Sequence, residues 1–232
     1  MKTRKCMIAV LCAAVLSMTS CSTIQNMNNK TKGGVIGGAS GAALGALIGH
    51  TAGNTGIGAL IGAAVGTGAG VLIGNKMDKA KKEVQAAVPN ATVETVKDDN
   101  GLQANKVTFE NKILFSTNKY DLSTAAKQNL SNFAEVLKKY NDISISVLGH
   151  TDSTGTDKIN DPLSQKRAEA VGSFLKTCGV PDSTLKSVMG KGSHSPVASN
   201  ATADGRSLNR RVEVYMYASE NMIKQAQSGT LK

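Results

Sequence analysis

The chain reads as an α/β protein: a β-α-β-α-β-β sandwich of two main helices on one mixed sheet, preceded by a glycine-rich helical hairpin. Three observations predict this. Over residues 90–218 the segments run strand, helix, strand, helix, strand, strand, an order that packs helices on a sheet. All eight aromatic residues lie between Phe109 and Tyr217, so only that half can build a core around large side chains. Upstream, glycine recurs at every fourth position in two separate runs.

The elements follow in order. Ala91–Lys97 alternates, with Val93 and Val96 apolar, and Asp98-Asp99-Asn100-Gly101 is turn chemistry. Leu102–Phe109 is the return strand of that hairpin, and Lys112–Phe115 a further short apolar strand. Thr124–Tyr140 is a helix with Ala126, Leu130, Phe133 and Leu137 on its apolar stripe and Ser123 as N-cap. Ile143–Val147 alternates as a strand, and Gly149–Gly155 is the loop that leaves it. A second helix is expected from about Pro162, since proline favours the first helical turn, to Cys178, with Gly179 just beyond its end. Leu185–Gly190 and Arg211–Tyr217 complete the strands, and in the latter Val212, Val214 and Met216 face one way.

The N-terminal part is built differently. Basic Met1–Lys5, the apolar run Met7–Leu16 and small residues before Cys21 form an expected secretory signal over 1–20. The apolar run is too short for a membrane-spanning helix. Ser20-Cys21 resembles a lipobox, in which the cysteine sulfur is acylated; a plain signal peptide is the alternative. Residues 21–32 then form a polar tether. Residues 33–74 hold Gly33, Gly37, Gly41, Gly45 and Gly49, then Gly58, Gly62, Gly66, Gly70 and Gly74, a repeat of 25 residues. Glycines four apart line up along a helix and let two backbones approach. Glycine also costs up to about 1 kcal/mol per residue in an aqueous helix, so lipid or close helix packing has to compensate. The segment resembles the glycine-zipper region of some outer-membrane lipoproteins. A membrane-associated or oligomerising hairpin and a flexible spacer both remain open. Residues 75–89 are expected as an amphipathic linker helix, with Met77, Ala80, Val84 and Val88 on one side and Pro89-Asn90 as its end. The domain proper is 90–218, and 219–232 a tail.

Charge excludes one class of partner. The chain carries +10, but residues 90–218 hold 16 Lys+Arg against 14 Asp+Glu, a balance of only +2. That gives no electrostatic footprint for nucleic acid. After the signal, Cys178 is the one thiol besides Cys21, so no internal disulfide is expected.

The residues that carry function lie on the second helix and the loop before it. Leu163, Val171, Phe174 and Cys178 trace the expected buried stripe, and Arg167 falls on the same line. A guanidinium does not discharge in a protein, so a buried one needs an anion. Asp152, on the preceding loop, is in reach of this helix. The two form either a structural ion pair or a pocket for a zwitterion, with carboxylate to Arg167 and ammonium to Asp152.

A resemblance favours the pocket. Gly149-His150-Thr151-Asp152-Ser153-Thr154-Gly155, Asn160-Asp161-Pro162-Leu163-Ser164-Gln165-Lys166-Arg167-Ala168, Asn209-Arg210-Arg211-Val212-Glu213 and Ile113–Asn118 resemble, in order and spacing, four blocks of the OmpA C-terminal domain family. The resemblance implies that family's fold and its non-covalent binding of peptidoglycan through the diaminopimelate of the stem peptide. Asp152 would take the ammonium and Arg167 the carboxylate. Asn160, Thr151 and Thr154 would add hydrogen bonds, with Leu163, Phe115 and Thr117 lining the site. Arg210 and Arg211 would touch the ligand or brace the loop. Ser116-Thr117-Asn118 is less acidic than the same loop in many members.

The resemblance further implies placement. An acylated Cys21 and a wall-binding domain make a bivalent tether between outer-membrane lipid and peptidoglycan. Ser22, where aspartate would favour inner-membrane retention, points to the outer membrane with the domain in the periplasm. A rival class is a membrane-embedded homo-oligomer driven by residues 33–74. Catalysis is not expected: His150, Asp152 and Ser153 crowd one short loop, where a triad seldom converges. No metal spacing and no cofactor motif is present.

Overall fold

The computed structural model describes residues 68–97, 103–115 and 119–231. The expected signal, Cys21, the tether, residues 33–67, the turn at 98–101 and Thr117 lie outside the described residues. Helix α1 (Gly68–Ala87) leads into β1 (Thr92–Lys97) and β2 (Gln103–Glu110). Then come α2 (Asn111–Leu114), α3 (Thr124–Lys139), β3 (Ile143–Gly149), α4 (Asp157–Thr177), β4 (Leu185–Gly190), α5 (Ala203–Asn209), β5 (Arg211–Ala218) and α6 (Glu220–Gln227). The sheet order is β1-β2-β5-β3-β4; only β3 and β4 are parallel, joined across α4. The sheet is therefore mixed, with helices packed on it, as the segment order predicts.

Register puts the apolar alternations on one face. Val147 lies opposite Val214 and Ile145 opposite Met216, while Val107 and Phe109 of β2 face Val214 and Val212. Phe133 of α3 meets Phe109 edge-on, ring centroids 5.9 Å apart. Ser123 caps α3 by accepting from Ala126 N at 3.0 Å.

Helix α1 begins seven residues before the expected start at residue 75, taking in Gly70 and Gly74 of the glycine repeat. Its stripe Ala69, Ile73, Met77, Ala80 and Val84 is buried. The helix packs on α3, α6 and the first two strands. Asn105 Nδ2 donates to Met77 O at 2.7 Å, and Lys76 pairs with Asp142 at 2.6 Å. Among the described residues no helix is long and apolar enough to cross a membrane.

Three local expectations fail. Lys112–Phe115 is not a strand but the helical turn α2, leaving Phe115 in a single bridge to Leu122. A run of four apolar-rich residues carries no periodicity to separate the two states. Helix α4 starts at Asp157 rather than Pro162, so the proline sits inside it. At that depth it removes one amide from the ladder near the helix start.

The third concerns the buried stripe of α4, which is Asn160, Ser164, Arg167, Ala168, Val171, Gly172 and Leu175, whereas Leu163, Phe174 and Cys178 are only half-buried. Small residues won because α4 lies unusually close to β3 and β4. A Cβ on Gly149 would run into the Ser164 carbonyl, and one on Gly190 into Gln165 N and Ser164 Oγ. Gly149→Ala is therefore expected to destabilise the fold by about 1–3 kcal/mol through overpacking against backbone that cannot yield. A lower urea midpoint at unchanged m-value would report it; an unchanged midpoint would mean that the helix can lift off.

Candidate functional site

The site forms where β3 and β5 end beside the start of α4. His150 N donates to Arg211 O and Thr151 N to Gly192 O, each at 2.9 Å, so the loop leaving β3 is fixed from both sides. Asp152, 7% exposed, then accepts from Thr154 N at 2.8 Å through Oδ1. Gly155 closes this turn at φ 90°, a conformation glycine adopts without a Cβ penalty. The second oxygen of Asp152 accepts from Arg210 Nη1 at 2.5 Å. Burial pushes the Asp152 carboxyl up, but Arg210 and the Thr154 amide outweigh it and hold the group below the usual carboxylate range.

Arg167 faces this loop from the third turn of α4. It is 2% exposed. Its Nε donates to Lys119 O at 3.2 Å, and its guanidinium lies 5.5 Å from the Phe115 ring centroid. Among the described residues no carboxylate comes within 4.0 Å of it, the range of an ion pair. Burial, then the nearby charge of Arg210, push its pKa down to about 10, while Asp152 acts to raise it. Arg167 is thus a buried cation, charged at neutral pH, that among the described residues has no carboxylate in ion-pair range. Such a group favours an incoming anion.

Asn160, 3% exposed, donates Nδ2 to Thr154 O at 3.2 Å and so joins α4 to the Asp152 turn. Thr151 Oγ1 is buried without a hydrogen-bond partner among the described residues. Asn209 staples the strip before β5: Oδ1 accepts from Val197 N and Ala198 N, and Nδ2 donates to Ala198 O and Asn200 Oδ1. Asn200 Oδ1 in turn accepts from Ser153 N at 3.2 Å.

Residues 114–210 match the OmpA family, and residues 1–78 match the YMGG-like Gly-zipper. Residues 114–210 are thus similar to the OmpA family. Across 142 residues the chain is 34% identical to the "Probable lipoprotein YiaD" of Escherichia coli, covering 61% of this chain and 63% of that one. Across 102 residues it is 41% identical to the "Peptidoglycan-binding protein ArfA" of Mycobacterium bovis, covering 44% of this chain and 31% of that one. The chain thus spans less than two thirds of either relative. A putative MotB-like protein from Desulfovibrio vulgaris shares the fold, with a TM-score of 0.53 at 21% identity over 64% of this chain and 94% of that one.

The fold brings Asp152, Thr154, Asn160, Arg167, Phe115 and Arg210 together. It does not do so for Arg211, which is 4% exposed and donates to Glu213 Oε1, Asn209 O and Ser195 O, all internal acceptors. Leu163 is half-buried on the flank of α4. Two features escaped the sequence. Asp152 pairs with Arg210 rather than with Arg167. Lys119 acts through its carbonyl, for which side-chain identity is no signal. Asp157, Asp161 and His194 bring ligand atoms within 4.8 Å of one another at the start of α4. All three are exposed, and His194 Nε2 lies 3.3 Å from Asp161 Oδ1.

Proposed function

We propose that this OmpA-family domain holds peptidoglycan non-covalently by the zwitterionic end of diaminopimelate, and that the chain tethers the wall to the outer membrane through an acylated Cys21. The observation that carries the reading is Arg167: a buried guanidinium without a carboxylate among the described residues, beside a carboxylate that is kept ionised. The ligand carboxylate binds Arg167 as a charge-assisted fork. Its ammonium shares Asp152 with Arg210, which balances the Asp152 charge in the empty site and leaves the Arg167 cation for the ligand carboxylate. Asn160 and the Thr154 carbonyl fix the rim. The similarity to a protein named as peptidoglycan-binding, and to one named as a probable lipoprotein, supports both halves of the reading. The domain needs no reaction step for this role. It is a binding module and not an enzyme, working from the periplasmic face of the outer membrane.

Diaminopimelate and a blocked lysine separate the reading from a general affinity for amines. Free diaminopimelate is expected to compete the full chain off isolated sacculi. Lysine acetylated at its α-amine and amidated at its α-carboxyl keeps only the side-chain ammonium, leaves Arg167 without an anion, and is expected to compete at least tenfold less well. Equal competition by the two would sink the zwitterion reading.

A further inference from the structure

A groove of about 530 Å³ lies between α3, α4 and the segment before α3. Tyr120 and Phe174 give it apolar surface, Lys127 and Lys166 cations, and Asp121 and Glu169 anions. It is separate from the diaminopimelate cleft, but two of its lining residues are chain neighbours of cleft residues. Arg167 and Lys166 are neighbours on α4; about 100° of helical turn separates them, so one is buried toward the cleft while the other is exposed at the groove. Lys119, whose carbonyl holds Arg167, directly precedes Tyr120.

We infer that this groove is a second subsite, taking the peptide main chain from which the diaminopimelate head branches. The inference rests on the proposed function above. An amino-acid head gripped at Arg167 and Asp152 is the tip of a side chain only about 5 Å from its own main chain. That main chain must lie on the surface bordering the cleft. The groove has the volume of a small-molecule site. It offers what a short peptide of small residues with free carboxylates needs. Lys127 and Lys166 have no ion-pair carboxylate among the described residues, whereas Glu169 already accepts from Gln165 Nε2 at 2.9 Å. The Lys166 ammonium stands 5.2 Å from the Tyr120 ring centroid, so the cation is held over the ring at the head of the groove. Tyr120 is 44% exposed, a large aromatic surface left open beside a binding cleft.

Calorimetry on the full chain in detergent, with free diaminopimelate and with a soluble stem tetrapeptide that carries it, tests this. The wild-type chain is expected to bind the peptide about tenfold more tightly than the amino acid, from one ion pair and one apolar contact. The double variant Tyr120→Ser, Lys166→Gln changes two exposed side chains. It is expected to keep its affinity for the amino acid and lose the peptide increment. An increment that survives in the double variant, or its absence in the wild-type chain, overturns the subsite. Failure of the wild-type chain to bind either probe overturns the cleft itself, and the groove with it.

Discussion

Arg167→Met is expected to abolish wall binding without unfolding the protein. The native guanidinium is 2% exposed, and its Nε donates to the Lys119 carbonyl at 3.2 Å. Burial and the charge of Arg210 both act against it, bringing its pKa down to about 10. A cation so placed costs the free fold something, and a methionine of similar reach on the Phe115 ring removes that cost. Stability should therefore hold or rise by up to about 1 kcal/mol, while binding is lost. Truncating one member of a buried charged contact costs about 2–5 kcal/mol, a loss of roughly 30-fold to several thousand-fold in affinity. Sacculus pull-down and urea unfolding on the same variant read both quantities. A stable variant that still binds removes Arg167 from the site. A variant that unfolds makes the guanidinium a structural element and the zwitterion pocket an illusion.

How far the site was legible depends on what kind of interaction makes it. Arg167 was visible because a cation on an apolar helical line violates the pattern around it, and the violation marks a site wherever the pattern itself is sound. Asp152 was visible as the acidic residue of a loop leaving a strand. Their relation was not. The sequence leaves a direct pair and a shared pocket open, and Asp152 goes instead to Arg210, 58 residues on, because β5 starts alongside the end of β3 and delivers residue 210 to the same loop. Long-range delivery of this kind is set by strand order, and the order β2-β5-β3 is not written in any local pattern. Arg210 and Arg211 look alike in sequence, yet alternation sends one to the cleft and the other under the sheet.

The same logic explains the elements. Strands β3 and β5 and helix α3 carry clean periodicity or a cap, and they were legible. The short helix α5 has none. It is held by Thr202 accepting from Gly205 N at 3.1 Å and by the network around Asn209. The tail forms α6, capped by Ser219 and buried at Met222, Ile223 and Ala226 against α1. Neither helix is longer than eight residues, too short for propensity to decide without the partner it packs on.

Glu213→Ala is expected to cost about 3–5 kcal/mol of stability, because it leaves a buried arginine without its counter-charge. Glu213, Arg211, Tyr215 and His150 are each 3–4% exposed. Arg211 Nε donates to Glu213 Oε1 at 2.7 Å and Tyr215 OH to Oε2 at 2.9 Å, while His150 Nε2 stands 3.4 Å away. Burial works against charge on Glu213, but the His150 imidazole and the Arg211 guanidinium outweigh it and hold the carboxyl well below its usual value of 4.5. A carboxyl depressed in the fold stabilises fully above the unfolded value. The unfolded chain takes up the proton as pH drops below 4.5, and the contribution drains away toward the folded pKa. The gap between wild type and Glu213→Ala should accordingly be widest near neutrality and narrow in urea titrations below pH 4.5. The double change Arg211→Met, Glu213→Leu removes both charges at once and should recover most of the loss. The cluster also bears on binding. His150 N is held by Arg211 O, one residue before the strand exit turns toward Asp152. Loosening Glu213 should therefore weaken the wall contact in step with stability, whereas the methionine at 167 breaks the contact and leaves stability intact. Equal stability of Glu213→Ala and wild type at pH 7 would show that water or rearrangement satisfies Arg211, and that the strand exit is held by its backbone bonds alone.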